Sequence, residues 1–202
     1  MNTKQKIIHS ATKLFNTEGC IASSMRAIAM ACDMSLSNLQ HHFMTKETLL
    51  KAILEDMTLV FDEPPDLKPP IISLSILKEM NIRWLDFQKH YRFYFVEISA
   101  ILQSYRSIRK LFNTVKEKRL ETYNSLFSAY IKAGLFKPEP FPGFITRQAE
   151  LLWFTANYYL STKIAEGQKV NQQTFDDSNK VMLNIIYPML SDKGIVELMQ
   201  LN

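Results

Sequence analysis

MRAIAMACDMSLSNLQHHF, residues 25–43, falls into two short segments on either side of Asp33-Met34-Ser35. From Met25 to Cys32 the residues Ile28, Ala29 and Cys32 recur at the spacing of one helix face. From Leu36 to His42 the pattern repeats, with Leu39 and Phe43 one turn apart and turned inward together. Ala29 is small where two helices must cross closely. Asp33 stands where the chain needs a positive φ, which Asp tolerates better than most residues other than glycine. The spacing therefore predicts two helices around a tight turn. That is the geometry of a helix-turn-helix, whose second helix enters a DNA major groove.

The adjacent His41 and His42 raise a metal site as an alternative. On a helix, consecutive residues point about 100° apart, so the pair cannot chelate one ion, and no Cys or carboxylate stands at ligand spacing nearby. Leu36, Ser37, Asn38, Gln40 and His41 remain on the outward side. Asn and Gln pair bidentately with adenine edges, and a leucine methyl can touch the thymine methyl. His42 is expected to pack near the helix end. No metal is expected.

The rest of the chain agrees with an all-α fold. Among 202 residues only five are glycine, and helical spacing is widespread: Ile7, Ala11, Leu14 and Phe15 in one segment, Leu49, Ile53, Met57 and Val60 in another. The first helix stops at Gly19, and Ser24, Ser35 and Thr45 stand where N-caps open helices. PPDLKPP (64–70) ends any helix before it and marks a seam. The expected domains are 1–63, the helix-turn-helix unit, and 71–202, a larger helical unit for ligand binding and dimerisation. Within the second, helices are predicted over about 71–89, 91–104, 106–133, 144–166, 175–187 and 192–200.

Composition adds bounds. The longest uncharged apolar run, LLWFTANYYLST (151–162), is too short to span a bilayer. The first residues show no signal-peptide pattern, and two cysteines, Cys20 and Cys32, are too few for a disulfide framework. A reduced, cytoplasmic protein is expected, with a redox switch between the two thiols as the minor reading. Net charge is +4, but residues 1–55 carry six basic side chains against four acidic ones, so placement and not bulk charge must argue for DNA. Arg106, Arg109, Lys110, Lys116, Lys118 and Arg119 form a basic run that a solvated helix face explains.

Four pieces in register carry a family resemblance: ATKLFNTEG (11–19), SMRAIA (24–29), MSLSNLQHHF (34–43) and TKETLL (45–50). Over about 50 residues the chain resembles the DNA-binding region of TetR-type transcriptional regulators. The resemblance implies a homodimer on double-stranded operator DNA, released when a small molecule binds the C-terminal domain. Two residues depart from the pattern. Asp33 replaces the usual turn glycine, and Gln40 replaces a tyrosine that in most members touches a phosphate. The expected DNA contacts are Ser24, Arg26, Ser35, Leu36, Ser37, Asn38, Gln40, His41, Thr45 and Lys46. Ser24 and Thr45 open helices whose N–H groups favour an anion, and Lys46 adds a full charge there.

Rings crowd WLDFQKHYRFYFVEISAILQSY (84–105), and the polar Arg83, His90, Glu97 and Gln103 lie among them. Trp84, Phe87, Tyr91, Tyr94, Glu97 and Trp153 are the expected ligand pocket, for an effector the sequence leaves unidentified. LLWFTANYYLST is apolar nearly all round, so a partner subunit is expected against it and the next helix, through Leu152, Tyr159, Met182 and Ile186. No catalytic constellation or cofactor motif occurs, so neither an enzyme nor a cofactor is expected. Two rivals to a ligand-released repressor stay open: a helical dimer that has lost operator binding, motivated by Asp33 and Gln40, and an enzyme built on the C-terminal bundle.

Overall fold

A computed structural model describes residues 2–59 and 72–201. The proline stretch at 64–70, and with it the proposed seam, lies outside the described residues. Among the described residues ten α-helices follow in chain order: α1 (Thr3–Glu18), α2 (Met25–Ala31), α3 (Leu36–His42), α4 (Lys46–Leu59), α5 (Ser75–His90), α6 (Arg92–Ser104), α7 (Arg106–Lys132), α8 (Phe144–Ala165), α9 (Gln172–Ile186) and α10 (Asp192–Gln200). A 3-10 turn, Tyr187–Met189, follows α9. The fold is all-α. No helix of the described residues is long and apolar enough to cross a membrane.

The chain forms two compact units, Met1–Glu63 with His90–Val115, and Pro64–Lys89 with Lys116–Asn202. The first unit therefore holds α6 and the start of α7 as well as α1–α4. Its core includes Ile7, Ala11, Phe15, Ile28, Leu39, Leu49, Ile53, Ile98 and Ile101, each at most 1% exposed. Phe15 meets Phe93 edge-on at 5.2 Å, joining α1 to α6.

The second unit builds its core from Leu126, Phe127 and Tyr130 of α7, Ile145, Ala149 and Leu152 of α8, and Leu135, Phe136, Met189 and Leu190 from the connections. Leu135–Phe136 and Met189–Leu190 run antiparallel: Lys137 N–H donates to the Met189 carbonyl at 2.8 Å, and Ser191 N–H to the Leu135 carbonyl at 3.0 Å. Gly194 of α10 fits only because it has no side chain. A Cβ there would stand 2.1 Å from the Leu135 carbonyl oxygen.

Candidate nucleic-acid interface

Each helix of the 24–50 region opens on a side-chain cap. Ser24 Oγ accepts from Ala27 N–H, and Ser35 Oγ from Asn38 N–H, both at 3.2 Å. Thr45 and Thr48 cap each other, backbone N–H to hydroxyl in both directions at 3.1 Å. Such caps satisfy donors that the first helical turn otherwise leaves unpaired.

The turn between α2 and α3 closes by two reverse bonds. Asp33 N–H donates to the Met30 carbonyl at 3.1 Å, and Met34 N–H to the Ala29 carbonyl at 3.0 Å. This is the Schellman pattern, which needs a left-handed residue after the helix. Asp33 fills that place with φ 52°, the one positive φ outside glycine among the described residues. Leu39 is fully buried and Phe43 nearly so, while Ser37, Asn38, Gln40 and His41 are exposed and Leu36 is half-buried. Ser24, Arg26, Ser35 and Thr45 are exposed as well. A short helix pinned by one leucine thus turns polar, base-matching side chains to solvent.

The segment that carries α2 into place is clamped from both sides. Glu97 Oε2, on α6, accepts from Cys20 N–H at 2.5 Å and from Ile21 N–H at 3.3 Å. Lys46 Nζ, on α4, donates to the carbonyls of Cys20 at 2.9 Å, Ile21 at 3.0 Å and Ser23 at 2.9 Å. An ammonium has three donors, and all three are used. The expectation of Lys46 as a phosphate contact is thereby revised: its half-buried head holds the α1–α2 connection. Gly19, at φ 85°, makes room for the carboxylate, since a Cβ there would come within 3.0 Å of Glu97 Oε1.

Further polar links tie α6 and α7 into this unit. Asn16 Nδ2 donates to the His90 carbonyl at 2.8 Å, and its Oδ1 accepts from Phe93 N–H at 2.9 Å. Glu47 accepts from the Ser107 hydroxyl at 2.5 Å. The sequence reading missed Asn16 and Glu47 in these roles. Burial pushes the Cys20 thiol up to about 12 against the pull of the Lys46 charge, and burial also raises Cys32. Neither sulfur is primed as a thiolate at neutral pH.

The residues expected to form a pocket divide between the two units. Tyr91, Tyr94 and Glu97 belong to the first. The Tyr91 hydroxyl donates to Asp56 at 3.1 Å, burial raises its pKa, and Tyr94 packs edge-on against Phe95. With Glu97 engaged by backbone amides, these three belong to the packing of the first unit. Trp84, Phe87 and Trp153 belong to the second unit, where the rings of Trp84 and Phe87 lie 5.4 Å apart. Arg83, His90 and Gln103 are exposed, whereas the buried polar residue of this stretch is Gln88. Periodicity could have found it: Leu77, Met80, Trp84, Phe87 and Gln88 share one helical stripe.

The expected dimer residues are also revised in part. Leu152 is buried in the core of its own unit, and Met182 and Ile186 pack against that core. Tyr159 is half-buried beside Lys163. The apolar side chains left outward are their neighbours: Leu151 and Phe154 on α8, Phe154 stacked with Tyr158, and Val181, Leu183 and Tyr187 on and after α9. Leu151, Phe154 and Tyr158 follow the 3–4 spacing of a single face. Among the described residues no group of three or more His, Cys, Asp or Glu side chains is placed to hold a metal ion.

The model of bacterial regulatory proteins of the tetR family matches residues 7–53, and the TetR model of bacterial transcriptional repressors matches residues 53–198. The HTH-type transcriptional regulator UidR of Escherichia coli K12 is 38% identical over 52 residues, which is 26% of this chain and 26% of UidR. The match thus spans about a quarter of that relative's length. A TetR-family regulator from Marinobacter aquaeolei superposes with a TM-score of 0.84 at 21% identity, covering 100% of this chain and 97% of its own. AibR, solved in complex with isovaleryl coenzyme A and operator DNA, superposes at 0.53 with 22% identity, covering 90% of this chain and 98% of its own.

Proposed function

The chain belongs to the TetR family of bacterial regulatory proteins, and from that premise we propose that it is a transcriptional repressor released from its operator by a small, largely apolar effector. The observation that carries the proposal is α3: seven residues, capped by Ser35, pinned by Leu39, with Ser37, Asn38, Gln40 and His41 outward. Asn38 and Gln40 read base edges, Leu36 adds an apolar contact, and Ser24, Arg26, Ser35 and Thr45 hold the phosphates. The complex of AibR with a ligand and operator DNA supports the same pairing of effector and DNA for this chain.

One such helix offers too little contact for tight specific binding, so the operator is a palindrome with half-sites about 34–36 Å apart, read by a homodimer. The outward apolar face of α8 and α9, with Leu151, Phe154, Val181 and Leu183, is the surface proposed for the second copy. A hydrophobic face of this kind marks an interface in a soluble protein.

Gel retardation of genomic fragments over a salt series tests the proposal. Expected are a retained palindromic fragment and a steep salt dependence. Asn38→Ala and Gln40→Ala should each change the preferred base at one position by about 1–3 kcal/mol. If no fragment is retained above scrambled DNA, the repressor reading fails.

A further inference from the structure

We propose that the second unit binds an uncharged, largely apolar molecule through a hydroxyl or N–H group that this molecule donates, held by Gln88 and Ser178. The proposal deepens the effector-released reading and rests on it. Gln88 of α5 and Ser178 of α9 are both 0% exposed. The Gln88 side-chain nitrogen donates to the Ala156 carbonyl of α8 at 2.9 Å. A backbone carbonyl only accepts, so the nitrogen must face α8, and the carboxamide oxygen is the atom left over. That oxygen has no hydrogen-bond partner, and neither has the Ser178 hydroxyl.

Asn124 of α7 and Asn179 of α9 each add a buried carboxamide oxygen without a partner. All four residues lie in the second unit, and no such atom occurs among the described residues of the first. Buried polar atoms are nearly always paired, so four orphans that all fall in one unit mark that unit as built to be completed from outside.

The orphaned atoms specify what completes it. The three carboxamide oxygens accept and cannot donate, so the missing partner is a donor. A ketone, an ether or a hydrocarbon would leave them unpaired. Charge is excluded by the surroundings. Among the described residues of this unit the buried polar side chains are Gln88, Thr155, Asn157, Thr174 and Ser178, all neutral. Lys116 and Arg119 of α7 keep part of their surface in solvent. An ion in this interior would lose its hydration with no fully buried counter-charge among the described residues to offset the loss. The apolar body of the ligand is met by Trp84 and Phe87 of α5 and by Trp153, one turn before Ala156 on α8.

A matched set of probes on the full chain tests this: benzyl alcohol, toluene, benzoate and benzylammonium, read by thermal unfolding and calorimetry. At tenfold its dissociation constant, benzyl alcohol should raise Tm by about 3–6 °C. It should bind about tenfold more tightly than toluene, the difference made by one buried hydrogen bond. Benzoate and benzylammonium should give no shift. Gln88→Leu should abolish the advantage of the alcohol over toluene, and Ser178→Ala should reduce it; Gln88→Met serves if the leucine variant does not fold. No shift with any probe, tighter binding of either ion, or an undiminished alcohol advantage in both Gln88 and Ser178 variants would overturn the proposal. Operator retardation by each variant without probe reports separately on the repressor reading, which survives if only the probes fail.

Discussion

The two units treat buried polarity in opposite ways. In the first, every buried side-chain nitrogen or oxygen among the described residues meets a counterpart: Glu97 takes the amides of Cys20 and Ile21, Lys46 takes three carbonyls, and Asn16 uses both ends of its carboxamide. In the second, Gln88, Asn124, Ser178 and Asn179 carry buried atoms with none. A satisfied network rigidifies and fixes one arrangement, while an unsatisfied one costs stability until something completes it. The difference matches the tasks proposed for the units: one must hold a reading helix still, the other must respond to a molecule.

The largest effect separates core from surface within the second unit. Leu152→Ala should cost about 2–5 kcal/mol in urea unfolding, because it opens a cavity among Phe127, Ala149 and Met189. Phe154→Glu, two residues on and 60% exposed, should leave the fold intact and yield monomers by sedimentation. Monomers from a folded Leu152 variant together with a dimeric Phe154→Glu protein would reverse the assignment of the two faces.

Next in size is the clamp of the first unit. Lys46→Met removes three hydrogen bonds from one charge and leaves three carbonyls facing an apolar chain, a loss of about 2–4 kcal/mol. A phosphate contact would instead lower the slope of log affinity against log salt by about one. The clamp predicts an unchanged slope with lowered stability, so the two assignments differ in which measurement moves.

The opposite sign is expected in the second unit. Ser178→Ala deletes a buried hydroxyl that has no partner, and should stabilise the protein by about 1 kcal/mol. A loss of similar size would show that the hydroxyl is bonded after all, and the contrast between the units would narrow to Gln88 and the two asparagines.

What the sequence disclosed follows from the range of the interactions. Caps, turns and helix faces depend on residues three or four apart, so Ser24, Ser35, Thr45, the left-handed Asp33 and the break at Gly19 were legible. The expected helices over 106–133 and 144–166 fall within a residue of α7 and α8. Lys46 and Glu97 were misjudged because their partners are 23 to 77 positions away, and no local pattern encodes such pairs. Leu152 and Phe154 are equally apolar. Only packing decides which one turns inward.

Asp33 is where local sequence and backbone disagree most, and its replacement carries the smallest predicted effect. The Schellman turn demands a left-handed residue, and holding a non-glycine side chain there costs about 1–2 kcal/mol, at the low end for Asp. Asp33→Gly removes that strain. It also frees the unfolded chain, which opposes folding by about 0.4–1 kcal/mol. The net is a gain of about 0.5 kcal/mol, measurable as a small rise in the urea midpoint at constant m-value. Because α3 keeps its cap at Ser35 and its anchor at Leu39, operator affinity should stay within about twofold, less than half a kcal/mol. A glycine variant that binds DNA tenfold more tightly at unchanged stability would show instead that the aspartate repels the phosphate backbone, and that the departure at the turn acts on recognition and not on folding.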